Sequence, residues 1–170
     1  MSERKTRLLV DEGQGVGNDV AVRRVVTGHD AAGKAVVAID GLAPKSAFGV
    51  TVWSTNQLPA DNQQAPDATS GPTQITTGGT VIRVMNIPAG THSYMHRTVS
   101  LDYGIVLSGR LDLELDDGVV VHLQAGDIAV QRGTIHAWLN PYEEDCTVVF
   151  IILPAQPVMV QGQPLLPTHH

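Results

Sequence analysis

The chain has 170 residues, enough for one domain with a real hydrophobic core and too few for two ordinary ones. It carries 11 Lys and Arg against 17 Asp and Glu, a formal net charge of -6. No broad electropositive face is therefore expected, which sets nucleic acid aside as a partner.

The opening MSERKTRLLV has no apolar run followed by a small-residue cleavage site, so it does not read as a secretory signal. No stretch is long and apolar enough to cross a bilayer, and no membrane partner is expected. A lone Cys146 rules out an internal disulfide framework and suits a reducing compartment, so a cytoplasmic protein is expected. Lying in the apolar run from Cys146 to Pro154, this cysteine reads as a small buried hydrophobe rather than a nucleophile.

Ala21 to Val26 and Lys34 to Ile39 are β-rich runs around the turn-like GHDAAG, a hairpin pattern, and SAFGVTVWS (Ser46 to Ser54) supplies a further strand. Thr55 to Gly79 is polar and rich in Pro, Gln, Asp, Thr and Gly without period, so a long loop is expected. Strands then follow quickly: Thr80 to Ile87, a strand containing Ile105 to Leu107, and Arg110 to Leu115. The step Asp116-Asp117-Gly118 turns the chain into Val119 to Leu123. Ile128 to Gln131, His136 to Leu139 and Thr147 to Leu153 complete the series. Many short strands without alternating helices predict an all-β barrel or two-sheet sandwich.

The chemistry-bearing residues cluster between Gly90 and Asn140. His96, Asp102 and His136 are the residue types that a divalent zinc, iron, manganese or nickel ion accepts, and three protein ligands leave positions open for water or substrate. If the strand around Ser93 to Thr98 is extended throughout, His92, Tyr94, His96 and Thr98 share one face. Asp102, Gly104, Val106 and Ser108 share another, as do His136, Trp138 and Asn140. The competing structural reading is a buried hydrogen-bond network in which Asp102 holds one or both imidazoles. His29 and His122 read as surface residues, Glu143-Glu144-Asp145 as a solvated turn. No nucleophile, base and orienter can be assembled around Ser100 or Ser108.

Two segments carry a family resemblance. PAGTHSYMHRTVSLDYGIVLSG resembles the first motif of the cupin superfamily, with Gly90, His96, Asp102 and Gly109 at the motif spacings, and GDIAVQRGTIHAWLN resembles the second, with Gly126, Gly133, His136 and Asn140. Thr98 stands where cupins usually carry a second histidine, Asp102 where they carry glutamate, and Gln131-Arg132 where the second motif has its proline. The strings HRTVSLDYGIVLSG and QRGTIHAWLN are similar to a subgroup of single-domain cupins of bacteria and fungi.

The resemblance implies a single RmlC-like jelly-roll β-barrel with an N-terminal β extension: residues 1–79 an arm and loop packed on the barrel, 80–155 the barrel core, 156–170 a C-terminal tail. It implies His96, Asp102 and His136 as ligands of a divalent metal ion, Tyr94, Thr98 and Arg132 as candidate catalytic groups, and His92, Trp138 and Asn140 as substrate-binding groups. The expected activity is metal-dependent, non-redox chemistry on a small organic acid or an aromatic or keto compound, such as decarboxylation, dehydration or isomerisation. Two alternatives stand beside it: a non-haem iron dioxygenase, and a metal-free cupin that only binds or senses a ligand. A homodimer is expected, since exposed strand edges favour pairing.

Overall fold

The computed structural model describes residues 7–8, 20–46, 49–63 and 78–169. Residues 64–77 of the expected loop lie outside the described residues, as does His170. The N-terminal strands are β1 (Arg7–Leu8), β2 (Arg23–His29), β3 (Ala35–Leu42), β4 (Lys45–Ser46) and β5 (Gly49–Ser54). The barrel continues through β6 (Val81–Ile87), β7 (Thr91–His92), β8 (His96–Arg97), β9 (Ser100–Ser108), β10 (Arg110–Glu114), β11 (Val120–Gln124), β12 (Ile128–Arg132), β13 (Ala137–Asn140) and β14 (Cys146–Pro154). Three short strands follow, β15 (Met159–Val160), β16 (Gln163–Pro164) and β17 (Thr168–His169), and the described residues contain no α-helix.

A five-stranded sheet in the order β1-β7-β13-β10-β11 faces a six-stranded sheet in the order β12-β9-β14-β6-β5-β4, the jelly-roll arrangement expected from the sequence. The six-stranded sheet recruits Lys45–Ser46 and Gly49–Ser54, so it begins upstream of Thr80. The β2–β3 hairpin forms where the sequence places it but makes a sheet of its own. It is tied to β5 through Arg24, whose Nη1 donates to the Val52 carbonyl at 3.2 Å.

Period-two alternation builds the core. Along β14, Cys146, Val148, Phe150 and Ile152 are buried and the residues between them half-buried. They meet Val106, Leu111, Leu123, Ala129 and Trp138 in one cluster. Each fully buried aliphatic side chain there contributes roughly 1.5–3 kcal/mol. Gly104 on β9 is part of the packing, because a Cβ at that position would stand 3.2 Å from Trp138 and 3.3 Å from Phe150. The turn after β10 also follows from its residues: Asp117 (φ 58°) and Gly118 (φ 70°) both take positive φ, as a primed hairpin turn requires.

Register divides the inner surface of the six-stranded sheet into an apolar and a polar end. At the apolar end Val106, Val148 and Met85 lie side by side. The next row is Ala129, Gly104, Phe150 and Arg83, and the one beyond is Gln131, Asp102, Ile152 and Val81. A guanidinium, a carboxyl and an amide thus sit on the inner face, at the end that receives the histidines of the opposite wall.

Candidate functional site

His96 and His136 are brought together by the backbone. They form an isolated antiparallel bridge, with the His96 N–H donating to the His136 carbonyl at 2.8 Å and the His136 N–H donating to the His96 carbonyl at 2.9 Å. Residues directly opposite in such a pair project to the same side, and the imidazole centroids are 4.4 Å apart at an interplanar angle of 47°. His136 is 2% exposed and rests edge-on against Trp138, which in turn packs on Phe150. Burial first, then the charge of His96, pushes the His136 pKa down from 6.5 to about 4, against the opposing pull of the Thr134 carbonyl. His136 is therefore a neutral imidazole at physiological pH.

Asp102 reaches the same region from β9. Burial raises its pKa above the ordinary carboxyl value, and the Ser100 hydrogen bond and the charges of His96 and Arg83 lower it by less. Its Oδ1 is buried without a hydrogen-bond partner among the described residues. The hydroxyls of Thr98 and Ser100 are 2.7 Å apart, so two hydroxyls in series lead to this carboxyl. Arg83 is the nearby cation, and burial lowers its pKa while Asp102 raises it.

Gln131 closes the constellation behind His136. Its Nε2 lies 3.0 Å from His136 Nδ1 and donates to the Thr134 carbonyl at 2.7 Å, while its Oε1 accepts the Gly133 N–H at 3.1 Å. Neither Gln131 nor Arg83 was among the sequence candidates. The available signals were an arginine at an inward position between Val81 and Met85, and a glutamine where the second motif has proline.

The other candidates are dispersed. His92 lies opposite Leu139 on β13, whereas His96 lies opposite His136, so the segment Ser93–Met95 holds one residue more than regular pairing allows. That extra residue inverts side-chain parity, which corrects the expectation of a shared face. His92 is on the outer side, its Nε2 3.5 Å from Glu114. Tyr94 is 40% exposed and takes part through its carbonyl, which accepts from His96 Nδ1 at 2.9 Å. Arg132 alternates with the inward Gln131 and is exposed. With Thr98, Ser100, Gly133, Pro157 and Val158 it lines a cavity of about 200 Å³. Asn140 is buried but occupied structurally, its Nδ2 donating to the carbonyls of Ile87 (2.8 Å) and Glu144 (2.9 Å) and its Oδ1 accepting the Tyr142 N–H (3.2 Å). Trp138 does line the inner wall. His122 is on the exposed side as expected, where its Nδ1 and the Tyr142 hydroxyl meet Asp112 Oδ1 at 2.9 Å and 2.7 Å.

The cupin domain family matches residues 83–152. The chain is 36% identical to phomopsin biosynthesis cluster protein C' of Diaporthe leptostromiformis over 155 residues, 82% of each protein. It is 33% identical to the cupin-domain-containing oxidoreductase fogC of Aspergillus ruber over 156 residues, 84% of this chain and 77% of that one. The chain belongs to the cupin family. Among solved structures, a conserved protein with a double-stranded β-helix domain from Klebsiella pneumoniae is 24% identical, with a TM-score of 0.46 over 63% of this chain and 76% of that one.

Cupins commonly bind metals, and this cupin's residues test whether such an ion fits. Among the described residues no three His, Cys, Asp or Glu side chains stand close enough together to hold one. Thr98, at the position of the family's second histidine, has its hydroxyl directed to Ser100, and Asp102 is bonded to Ser100. As arranged here, the donor set does not fit a three-ligand centre.

Proposed function

We propose that this cupin is a small-molecule enzyme that moves a proton on a small organic carbonyl compound inside the barrel, in an isomerisation or dehydration. The observation that carries the reading is that His96 acts on two groups at the polar end of the barrel: Asp102, a half-buried carboxyl of raised pKa whose Oδ1 has no hydrogen-bond partner among the described residues, and His136, an imidazole kept neutral by a pKa of about 4. A carboxylate that takes the proton and a neutral donor that polarises the carbonyl oxygen are together suited to proton abstraction next to a carbonyl. Arg83 supplies positive charge for an acidic substrate, and Trp138 with Phe150 an apolar wall for a planar one. No step in this reading passes through a metal. The relatives named for biosynthesis clusters support a role in small-molecule biosynthesis.

The test is exchange in heavy water. Wild-type protein incubated with a panel of keto acids and aryl ketones should exchange the proton next to the carbonyl of at least one compound, read by proton NMR, and Asp102→Asn should abolish it. Ligands that bind without exchange would overturn the enzyme reading in favour of a binding cupin. A second reading, oxidation of the substrate, is favoured by the relatives named oxidoreductases. Oxygen uptake by iron-loaded protein with the same panel tests it.

The homodimer and cytoplasmic location are part of the same proposal. Ile128 and Val130 are 60% and 55% exposed on the edge strand β12, which supports self-association, and light scattering tests it. The buried Cys146 thiol, its pKa pushed up to about 11, suits a reducing compartment.

A further inference from the structure

The geometry around Gln131 assigns a tautomer to His136: we propose that Gln131 is a positioning residue that holds the proton on Nε2, so that His136 offers the barrel interior an N–H donor instead of a ligand lone pair. The inference deepens the proton-transfer reading and supplies the donor that this reading requires.

The orientation of the Gln131 amide is decided by two backbone groups. The Gly133 N–H, 3.1 Å from Oε1, can only donate, and the Thr134 carbonyl, 2.7 Å from Nε2, can only accept. Turning the amide over would set a donor against a donor and an oxygen against an oxygen, both buried. Nε2 therefore faces His136 Nδ1 at 3.0 Å with its second hydrogen, for which the Thr134 hydroxyl at 3.5 Å is the more distant and weaker acceptor. A proton on Nδ1 would confront that hydrogen with another N–H, whereas a bare Nδ1 accepts it. The Thr134 carbonyl is also 3.1 Å from Nδ1, but it already receives the shorter bond from Gln131. With Nδ1 accepting, the proton of the neutral ring is on Nε2.

His96 is held the opposite way. Its Nδ1 lies 2.9 Å from the Tyr94 carbonyl, which can only accept, so neutral His96 carries its proton on Nδ1 and leaves Nε2 as a lone pair. The paired imidazoles thus differ in character, one donor and one acceptor, although the two residues face each other across a near-symmetric backbone bridge. The difference originates in Gln131, the residue that replaces the proline of the family motif. It also accounts for the poor fit to a metal, since a ligating Nε2 cannot keep its proton.

Nitrogen-15 NMR of histidine-labelled protein near neutral pH decides the matter, with His136→Gln identifying the resonances. Wild type should show a pyridine-like shift at His136 Nδ1 and a pyrrole-like shift at Nε2, and the reverse pattern would overturn the proposal. In Gln131→Met the competing donor is gone and Nδ1–H can bond the Thr134 carbonyl, so the two shifts should exchange character. An unchanged pattern there would show that Gln131 does not set the tautomer. The wild-type spectrum stands if the variant does not fold. Because no substrate is involved, absence of exchange activity together with the expected shifts removes the proposed function and leaves the tautomer in place.

Discussion

A buried histidine that refuses a proton makes stability depend on pH, and His136 is the clearest case in this fold. Its pKa of about 4 in the folded protein lies below the 6.5 of an unfolded chain, so between these values the unfolded state binds the extra proton. Stability is therefore fully present above about pH 6.5 and is lost as pH falls towards 4. The whole interval corresponds to about 3 kcal/mol at about 1.4 kcal/mol per tenfold change in proton affinity. Descending only from about pH 7.5 to about pH 5 removes about 2 kcal/mol and leaves most carboxylates ionised. The perturbation is His136→Gln, which cannot titrate. Urea unfolding followed by the fluorescence of Trp53 and Trp138 at the two pH values should show wild type losing about 2 kcal/mol more than the variant over the descent. That is roughly a 1 M difference in midpoint shift for a domain of this size. Equal losses in the two proteins would refute the claim that His136 is buried and neutral.

Three further outcomes follow from the packing and the bonds. Gly104→Ala places a methyl group 3.2 Å from Trp138 and 3.3 Å from Phe150, and should cost about 1–2 kcal/mol in chemical denaturation, as overpacking of a filled core does. Asn140→Ala strands the buried Ile87 carbonyl and a partly buried one at Glu144, and should cost about 1–3 kcal/mol by the same assay, leaving the His136 nitrogen shifts unmoved. Ser100→Ala removes a bond that favours the charged carboxylate, so the Asp102 pKa should rise further, read by carbon-13 NMR titration of the side-chain carboxyl. A fall would mean that Ser100 does not bond the ionised form.

Much of the barrel was legible in the residues. Alternation along Cys146–Pro154 and the Asp117-Gly118 turn follow from period-two burial and from positive φ, both local properties. The backbone pairing of His96 with His136 was legible as motif spacing, and Asp102 as an inward residue of its strand. The placement of His92 was not, because one additional residue in Ser93–Met95 inverts parity between two short strands while composition shows no break. Arg132 is a sequence candidate and Gln131 is not, yet alternation sends the arginine outward and the amide inward. Asn140 fits the second motif, and its side chain is spent on backbone groups that only the folded turn brings near. Polar partners supplied by the backbone leave little trace in a sequence, and those partners separate a donor histidine from a ligand.

On the proposal above, His96, Asp102 and His136 serve proton transfer and do not form a three-ligand metal centre. Untagged protein equilibrated with zinc, iron(II), manganese and nickel in turn, then desalted and analysed for metal, tests it most directly. Far less than one equivalent of each metal should be retained, with no difference between wild type and His96→Ala or His136→Ala. One equivalent retained by wild type and lost in both variants would contradict it.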